Sequence, residues 1–335
     1  MSFQVMEVCG THTHVLMKLG LKKLYSGTLD LISGPGCPVC VTSQSDLDVL
    51  FSLCLQGVRL YSFGDLLKVP GHKGTLRELR AQGGDVREIY SPLNVLEDLE
   101  ENPTENACFV AIGFETTAPL VASLVEEIEK KSVSGLYIYS LLKLIPPAME
   151  VLLSDDTCMI DGFICPGHVS VVIGEKPYES LAQRFDKSFV IAGFEESVLR
   201  DALDIIVDML RTGRKGVENA YSPLVQPDGN PVAQKKIRDY FEVFDADWRG
   251  LGHLPNSGLR LKKSLAHIDA EQVFTVERSN SPDLCPCGEV LTGRTRPFEC
   301  SYFGIDCVPE TPIGPCMVSS EGACHAEFLY GHRRD

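Results

Sequence analysis

Thirteen cysteines are distributed unevenly along the 335 residues of this chain: six lie between Cys285 and Cys324, and three more, Cys9, Cys37 and Cys40, lie near the start. The late group reads CPCGEVLTGRTRPFECSYFGIDCVPETPIGPCMVSSEGAC, with sulfurs at 285, 287, 300, 307, 316 and 324. Four thiolates drawn from loops can bind zinc or an iron-sulfur cluster. Zinc sites usually combine two tight cysteine knuckles, whereas cluster ligands can be spread irregularly. Cys285 and Cys287 are too close for a knuckle and the next intervals are long. The spacing therefore favours a cluster, with zinc or unliganded thiols as the alternatives.

Cys37 and Cys40 form a C-P-V-C within SGPGCPVCVTSQSDL, just after an expected strand and before a helical stretch. Amides at a helix start stabilise a thiolate, so such a pair is expected to be acidic and able to cycle between dithiol and disulfide. The two sulfurs could instead serve a metal site or lie buried at a turn. Cys9 ends the first expected strand in CGTHTH, which places a thiol and two imidazoles, His12 and His14, within one short segment. Cys and His together suit a soft or borderline metal, although either imidazole could merely cap or pack.

GFETT at Gly113 to Thr117 and PGHVS at Pro166 to Ser170 also fall at strand ends, and offer Glu115, Thr116, Thr117, His168 and Ser170 to a cleft. Glu115 and His168 could move protons there; capping of helices by Thr or Ser explains the same pattern. Cys54, Cys108 and Cys158 read as small core residues, and Cys165 is left open. No phosphate-binding G-x-x-x-x-G-K-[ST] motif is present.

To position these groups, the sequence to about residue 213 alternates short β-rich runs with amphipathic helical stretches, the pattern of an α/β fold with parallel strands. Strands are expected at FQVMEV, LDLISG, VRLYSF, FVAIGF, LYIYSLL, MIDGFIC and SFVIAGF, and helices at SQSDLDVLFSLCLQG, APLVASLVEEIEKK and ESVLRDALDIIVDMLRTG. LISGPGCPVCV resembles FICPGHVSVVI, and GFETT resembles GFEES, which an internal duplication or chance could produce. Beyond residue 215 the chain is rich in Pro, Gly and Asn, as in YSPLVQPDGNPVAQ, WRGLGHLPNSG and ERSNSPDLCPCGEV. The expected organisation is two similar parallel-sheet α/β domains, 1–105 and 106–214, meeting near ENPTEN. A smaller, loop-rich C-terminal iron-sulfur domain, 215–335, follows them. A region with so little core commonly needs a metal or crosslink.

The formal net charge of -15 and the absence of a long Lys/Arg cluster argue against nucleic acid as a partner. No apolar run reaches bilayer-spanning length and no secretory signal opens the sequence, so the expected location is the cytoplasm. In a reducing compartment thiols stay free for metal and redox chemistry.

MEVCGTHTH, SGPGCPVC, FGD at Phe63 to Asp65, GFETT, PGHVSVVIG, AGFE, WRGLG, CGEVLTG and CMVSSEGAC, in that order along nearly the whole chain, resemble the HypD family of NiFe-hydrogenase maturation proteins. The resemblance implies a scaffold with redox activity rather than a conventional turnover enzyme. On it an iron atom receives two cyanides and one carbon monoxide before delivery to the hydrogenase large subunit. It implies a HypC-type chaperone and a HypE-type cyanide donor as partners. Cys9 matches the family's proposed iron ligand, with His12 the nearest polar partner. Cys37 and Cys40 match thiols that exchange electrons with a 4Fe-4S cluster, an arrangement similar to ferredoxin:thioredoxin reductase. Cys287, Cys300, Cys307 and Cys324 match the cluster ligands, with Cys285 and Cys316 extra to the pattern. Members carry a longer segment before the CGTHTH strand, so a helix covering part of the first domain is expected to be missing here. A thiol-disulfide reductase that uses an iron-sulfur cluster against a protein disulfide is the alternative function.

Overall fold

The computed structural model describes residues 2–278 and 283–331; the 279–282 part of the ERSNSPDLCPCGEV stretch lies outside the described residues. All seven expected segments form strands. In chain order the strands are β1 Phe3–Glu7, β2 Leu29–Ser33, β3 Arg59–Ser62, β4 Val86–Glu88, β5 Ala107–Gly113, β6 Leu136–Lys143, β7 Gly162–Pro166, β8 Ser188–Ala192, β9 Gly216–Asn219, β10 Phe241–Trp248 and β11 Gly252–Leu261. β5 and β8 are buried along their whole length, as parallel strands covered on both faces must be.

The chain folds into two compact units, each discontinuous in sequence: Met1–Cys40, Ile145–Pro231 and Cys285–Asp335 form the first, and Val41–Leu144 and Val232–Leu284 the second. The consecutive division 1–105, 106–214 and 215–335 cuts across both. β3 pairs directly with β5 through Arg59↔Ala107 and Leu60↔Cys108, so the chain passes through ENPTEN within one sheet. The cysteine-rich segment from Cys285 onward belongs to the first unit.

The first unit is built on a wholly parallel sheet of order β2-β1-β7-β8-β9. Val5, Leu31, Ile164 and Val190 from its strands pack with Leu199, Leu203 and Ile206 from the helix Glu196–Thr212. These helix residues recur at near-helical spacing on one face, and each such side chain, when buried, contributes about 1.5–3 kcal/mol. Gly213 ends the helix at φ 72, a left-handed position that favours glycine.

The second unit holds the sheet β10-β11-β6-β5-β3-β4. Phe109, Ile138 and Leu142 pack there with Val121, Val125 and Ile128 of the helix Ala118–Lys131. β10 and β11 form an antiparallel hairpin, and β11 pairs antiparallel with β6. WRGLGHLPNSG had read as loop, yet most of it is strand. FEVFDADW alternates its faces, and its partner tolerates Gly258 because that glycine lies beneath the Phe244 ring. Among the described residues no helix is long and apolar enough to cross a membrane.

Strand order positions the chemistry. From β1 the chain moves outward to β2, then reverses to place β7 on the other side of β1. Such a reversal opens a crevice at the carboxyl ends of the two strands. CGTHTH follows β1 and PGHVS follows β7, so both motifs flank this crevice. In the second unit the reversal lies between β3 and β5, flanked by FGD and GFETT.

The loops after β1 and β2 cross closely. The Gly10 amide donates to the Gly36 carbonyl at 2.9 Å, and a Cβ at Gly36 would overlap the Val8–Cys9 backbone. Gly36→Ala is therefore expected to lower unfolding free energy by about 2–4 kcal/mol. Gly27, with open space around it, should accept alanine within about 1 kcal/mol. Denaturant melts of the two variants check this; equal stabilities would refute the close crossing.

Candidate metal and thiol site

Cys9 caps the helix Gly10–Lys18 from an extended backbone position, φ -149 and ψ 121. It keeps some exposed surface, but its sulfur is packed. That burial pushes the thiol up to about 12, with the charges of Glu7 and Glu321 adding to the effect and the His12 and Thr11 amides opposing it. Glu7, buried at the end of β1, accepts from the Cys9 amide at 3.1 Å and from the Thr13 hydroxyl. Desolvation raises its carboxyl to about 8 against these donors. A metal bound to Cys9 would reverse the first shift, because a coordinating thiol loses its proton outright.

His12 is fully buried on the same helix, with Nε2 2.9 Å from the Gly193 carbonyl. A carbonyl can only accept, so the proton is on Nε2 and the Nδ1 lone pair is bare. Among the described residues Nδ1 has no hydrogen-bond partner. The His12 ring centroid lies 4.7 Å from that of Phe194, and the His168 centroid lies 4.2 Å from the same ring. Glycines allow this arrangement: Gly167 and Gly193 both press on the Tyr221 ring where a side chain would collide. Cys9, His12 and His168 thus gather at one sheet edge. His14 faces elsewhere, with Nδ1 3.3 Å from the Ser320 carbonyl and its ring edge-on to Tyr330.

Cys37 and Cys40 are both buried, with Cys40 Sγ 2.7 Å from Cys37 Sγ and the Cys40 amide donating to Cys37 Sγ at 3.3 Å. Closing a disulfide here needs only a small movement of sulfur. The expectation of an acidic pair fails at Cys40. Burial, then Cys316 and Cys37, drive its thiol well above the usual range. The expected helix start lies further along the chain, at Gln44, where Ser43 serves as cap.

Cys316 connects this pair to the late cysteines. Its thiol contacts Cys40, and it is also the neighbour that weighs most on Cys324 after burial, followed by Cys285, Cys307 and Cys300. Cys307 is raised first by burial, with Cys285 and Cys300 adding and the amides of Ile313 and Gly314 opposing; Ile313 N–H donates to its sulfur at 3.3 Å. Gly314 leaves room for Cys285, whose sulfur a Cβ there would overlap. Cys287, by contrast, is buried at the head of the short helix Cys287–Leu291.

Among the described residues no group of three His, Cys, Asp or Glu side chains is placed to hold a single metal ion. A cube of irons and sulfides keeps its thiolates further apart than one ion does, and amide donors to sulfur are part of how proteins hold it. The late thiols, with an amide donor at Cys307, fit the donor set of a cluster.

The remaining candidates are accounted for more simply. Glu115 is buried just beyond the end of β5, in the second unit. Thr117 stands at a helix N-cap without a capping hydrogen bond. Ser170 is structural, donating to the Pro166 carbonyl at 2.7 Å and lying 3.2 Å from the Tyr178 hydroxyl. Cys54, Cys108 and Cys165 are core residues, whereas Cys158, expected in the core, is only half-buried on a turn. Glu7, Phe194 and Cys316 were missed as site residues. Of these, Cys316 alone carried a signal, as a cysteine extra to the family pattern.

His12 makes a pH test possible. Burial, with His168 adding, lowers it from 6.5 to about 4, against carbonyl bonds to Gly193 and Ala192. Between these values the unfolded chain binds the proton and the folded one does not. This contribution is therefore complete above 6.5 and is lost as pH falls toward 4, by roughly 3 kcal/mol. His12→Asn should lose correspondingly less stability between pH 7 and pH 4 in denaturant melts. The same loss in both proteins would refute a buried neutral imidazole.

The family model described as "HypD: Hydrogenase formation hypA family" matches residues 1–331. Hydrogenase maturation factor HypD2 of Bradyrhizobium diazoefficiens is 41% identical over 99% of this chain and 90% of its own. Hydrogenase maturation factor HypD of Escherichia coli strain K12 is 39% identical over 98% of this chain and 89% of its own. The corresponding Rhodobacter capsulatus protein is 38% identical over 98% and 90%. With a match this long joined to this ordered set of motifs, the chain belongs to the HypD family of hydrogenase maturation factors.

Proposed function

We propose that this protein is a cytoplasmic scaffold on which iron acquires two cyanides and one carbon monoxide for a NiFe-hydrogenase large subunit. It works with a HypC-type chaperone and a HypE-type cyanide donor. One observation carries the reading: a continuous line of thiols, Cys37 to Cys40 to Cys316 to Cys324 and its neighbours, in the same unit as Cys9.

In this reading Cys9 holds the iron cargo. A thiolate at a helix N-terminus, met by the Thr11 and His12 amides, donates charge to a metal whose diatomic ligands withdraw it. His12 keeps its Nε2 proton on Gly193, and its buried Nδ1 carries a bare lone pair. His168 and Phe194 wall the crevice. Closing Cys37 and Cys40 to a disulfide would release two electrons and two protons; Cys316, itself a reduced thiol, cannot accept them, and it lies between this pair and the late thiols that would hold the electron acceptor.

Cys300, Cys307 and Cys324 would hold a 4Fe-4S cluster, with Cys285, which lies near Cys307 and Cys324, as fourth ligand in place of the Cys287 that the family pattern gives. Bound there, the cluster would supply one-electron chemistry. The burial of Cys37 and Cys40 weighs against the alternative, a reductase that must present a thiol to a protein disulfide.

After anaerobic isolation, Cys9→Ala should retain brown colour, iron and acid-labile sulfide but lose cyanide and carbon monoxide bands in the infrared spectrum of the complex with its chaperone. Unchanged bands would refute the role of Cys9. Cys285→Ala should lose most cluster iron and sulfide while Cys287→Ala keeps it. The reverse result would return the fourth ligand to Cys287.

A further inference from the structure

The turn between Cys316 and Cys324 packs against the helix that begins at Cys9. Thr11 Oγ1 donates to Glu321 Oε1 at 2.6 Å, and a Cβ at Gly10 would lie only 2.5 Å from Glu321 Cβ. His14 meets the neighbouring Ser320 carbonyl from the next turn of the same helix. Sequence motifs on either side, CGTHTH and SSEGAC, are thus joined by two hydrogen bonds and a glycine contact.

The turn has little slack. Gly322 N–H donates to the Ser319 carbonyl at 2.9 Å, the Glu321 amide donates to Ser319 Oγ at 3.3 Å, and a Cβ at Gly322 would overlap the Cys316 carbonyl. His325 Nδ1 lies 2.9 Å from the Met317 carbonyl, closing the turn from beyond Cys324. With the backbone on both sides of Cys324 held in this way, a shift of the turn is felt at Glu321, three residues earlier, and through Thr11 at the helix start.

We propose that Thr11 and Glu321 are positioning residues for Cys9, through which occupancy of the late thiols sets how accessible the Cys9 sulfur is. This rests on the cluster reading above and deepens it: the iron-holding thiol is presented correctly only when the redox group is in place.

The test uses the full chain under anaerobic conditions, as purified with its cluster and after the cluster is stripped by chelation. The probe is iodoacetamide, and the rate of Cys9 alkylation is read by peptide mass mapping. Wild-type Cys9 should react several-fold faster without the cluster. Thr11→Val should bring that ratio close to one at unchanged iron, labile sulfide, visible spectrum and melting temperature. Thr11→Ser, which keeps the hydroxyl, and Glu321→Gln, which keeps an acceptor, should preserve the ratio. A wild-type ratio near one, or a wild-type ratio persisting in Thr11→Val, would overturn the inference while leaving the cluster reading standing. Wild-type protein with neither iron nor labile sulfide would overturn that reading first and this inference with it.

Discussion

A thiolate survives inside a protein only where N–H donors or positive charge replace the water it has lost. In the first unit that compensation is incomplete. Burial holds Cys9, Cys40 and Cys324 protonated, and at Cys40 and Cys324 the neighbouring sulfurs deepen the effect. The amides of Thr11 and His12 at Cys9, and of Ile313 and Gly314 at Cys307, offset part of the cost. Thiols arranged in this way are poor nucleophiles as they stand; positive charge bound among them, as proposed, would offset both the desolvation penalty and the mutual repulsion.

Parallel topology explains why the sulfurs can be brought to one place from distant parts of the chain. β1, β2 and β7 run in the same direction, so the loops carrying Cys9, Cys37 and His168 all emerge at one edge of the sheet. Glycine then decides how near they come. Gly36 lets the loop after β2 lie on the Cys9 backbone, Gly167 and Gly193 let the loops after β7 and β8 close on Tyr221, and Gly314 leaves the space that Cys285 fills. None of these positions requires left-handed φ; the demand is for absent volume.

Much of this was legible in the residues. Seven strands follow from β-branched runs ending in Gly-containing or polar turns, and CGTHTH and PGHVS fall at strand ends as their flanking residues imply; that His168 shares a unit with Cys9 while Glu115 lies in the other was not legible. Other features are invisible to local patterns. Nothing in VRLYSF or FVAIGF says that they are neighbours, because the pairing of β3 with β5 depends on a crossover decided by packing. β11 hides behind Gly, Pro and Asn because its strand character comes from pairing with β10 and β6 rather than from propensity. The acidity expected at Cys40 fails because burial is a tertiary property that four residues of sequence do not report. Cys316 could not be assigned from spacing, since its partner Cys40 lies in a distant part of the sequence.

The late cysteine segment combines a small apolar cluster of its own with packing and ion pairs to the rest of the first unit. Its own buried cluster consists of Phe303, Cys307 and Met317, with Cys300, Ile313, Cys324 and Phe328 partly covered around them. Ion pairs tie the segment to the rest of the first unit, Arg296 to Asp30, Arg294 to Asp155 and Lys22 to Glu327. The Arg294 pair is largely exposed, and pairs of that kind contribute at most about 1 kcal/mol each. Val290, Leu291, Val318, Ala323 and Ala326 are buried as well, so apolar packing and these ion pairs together hold the segment against the sheet. The tight turn from Cys316 to Cys324 and the glycine contact at Cys285 then set where its sulfurs lie. Joining these thiols to a common partner, as the proposed cluster would, adds binding free energy to that of packing.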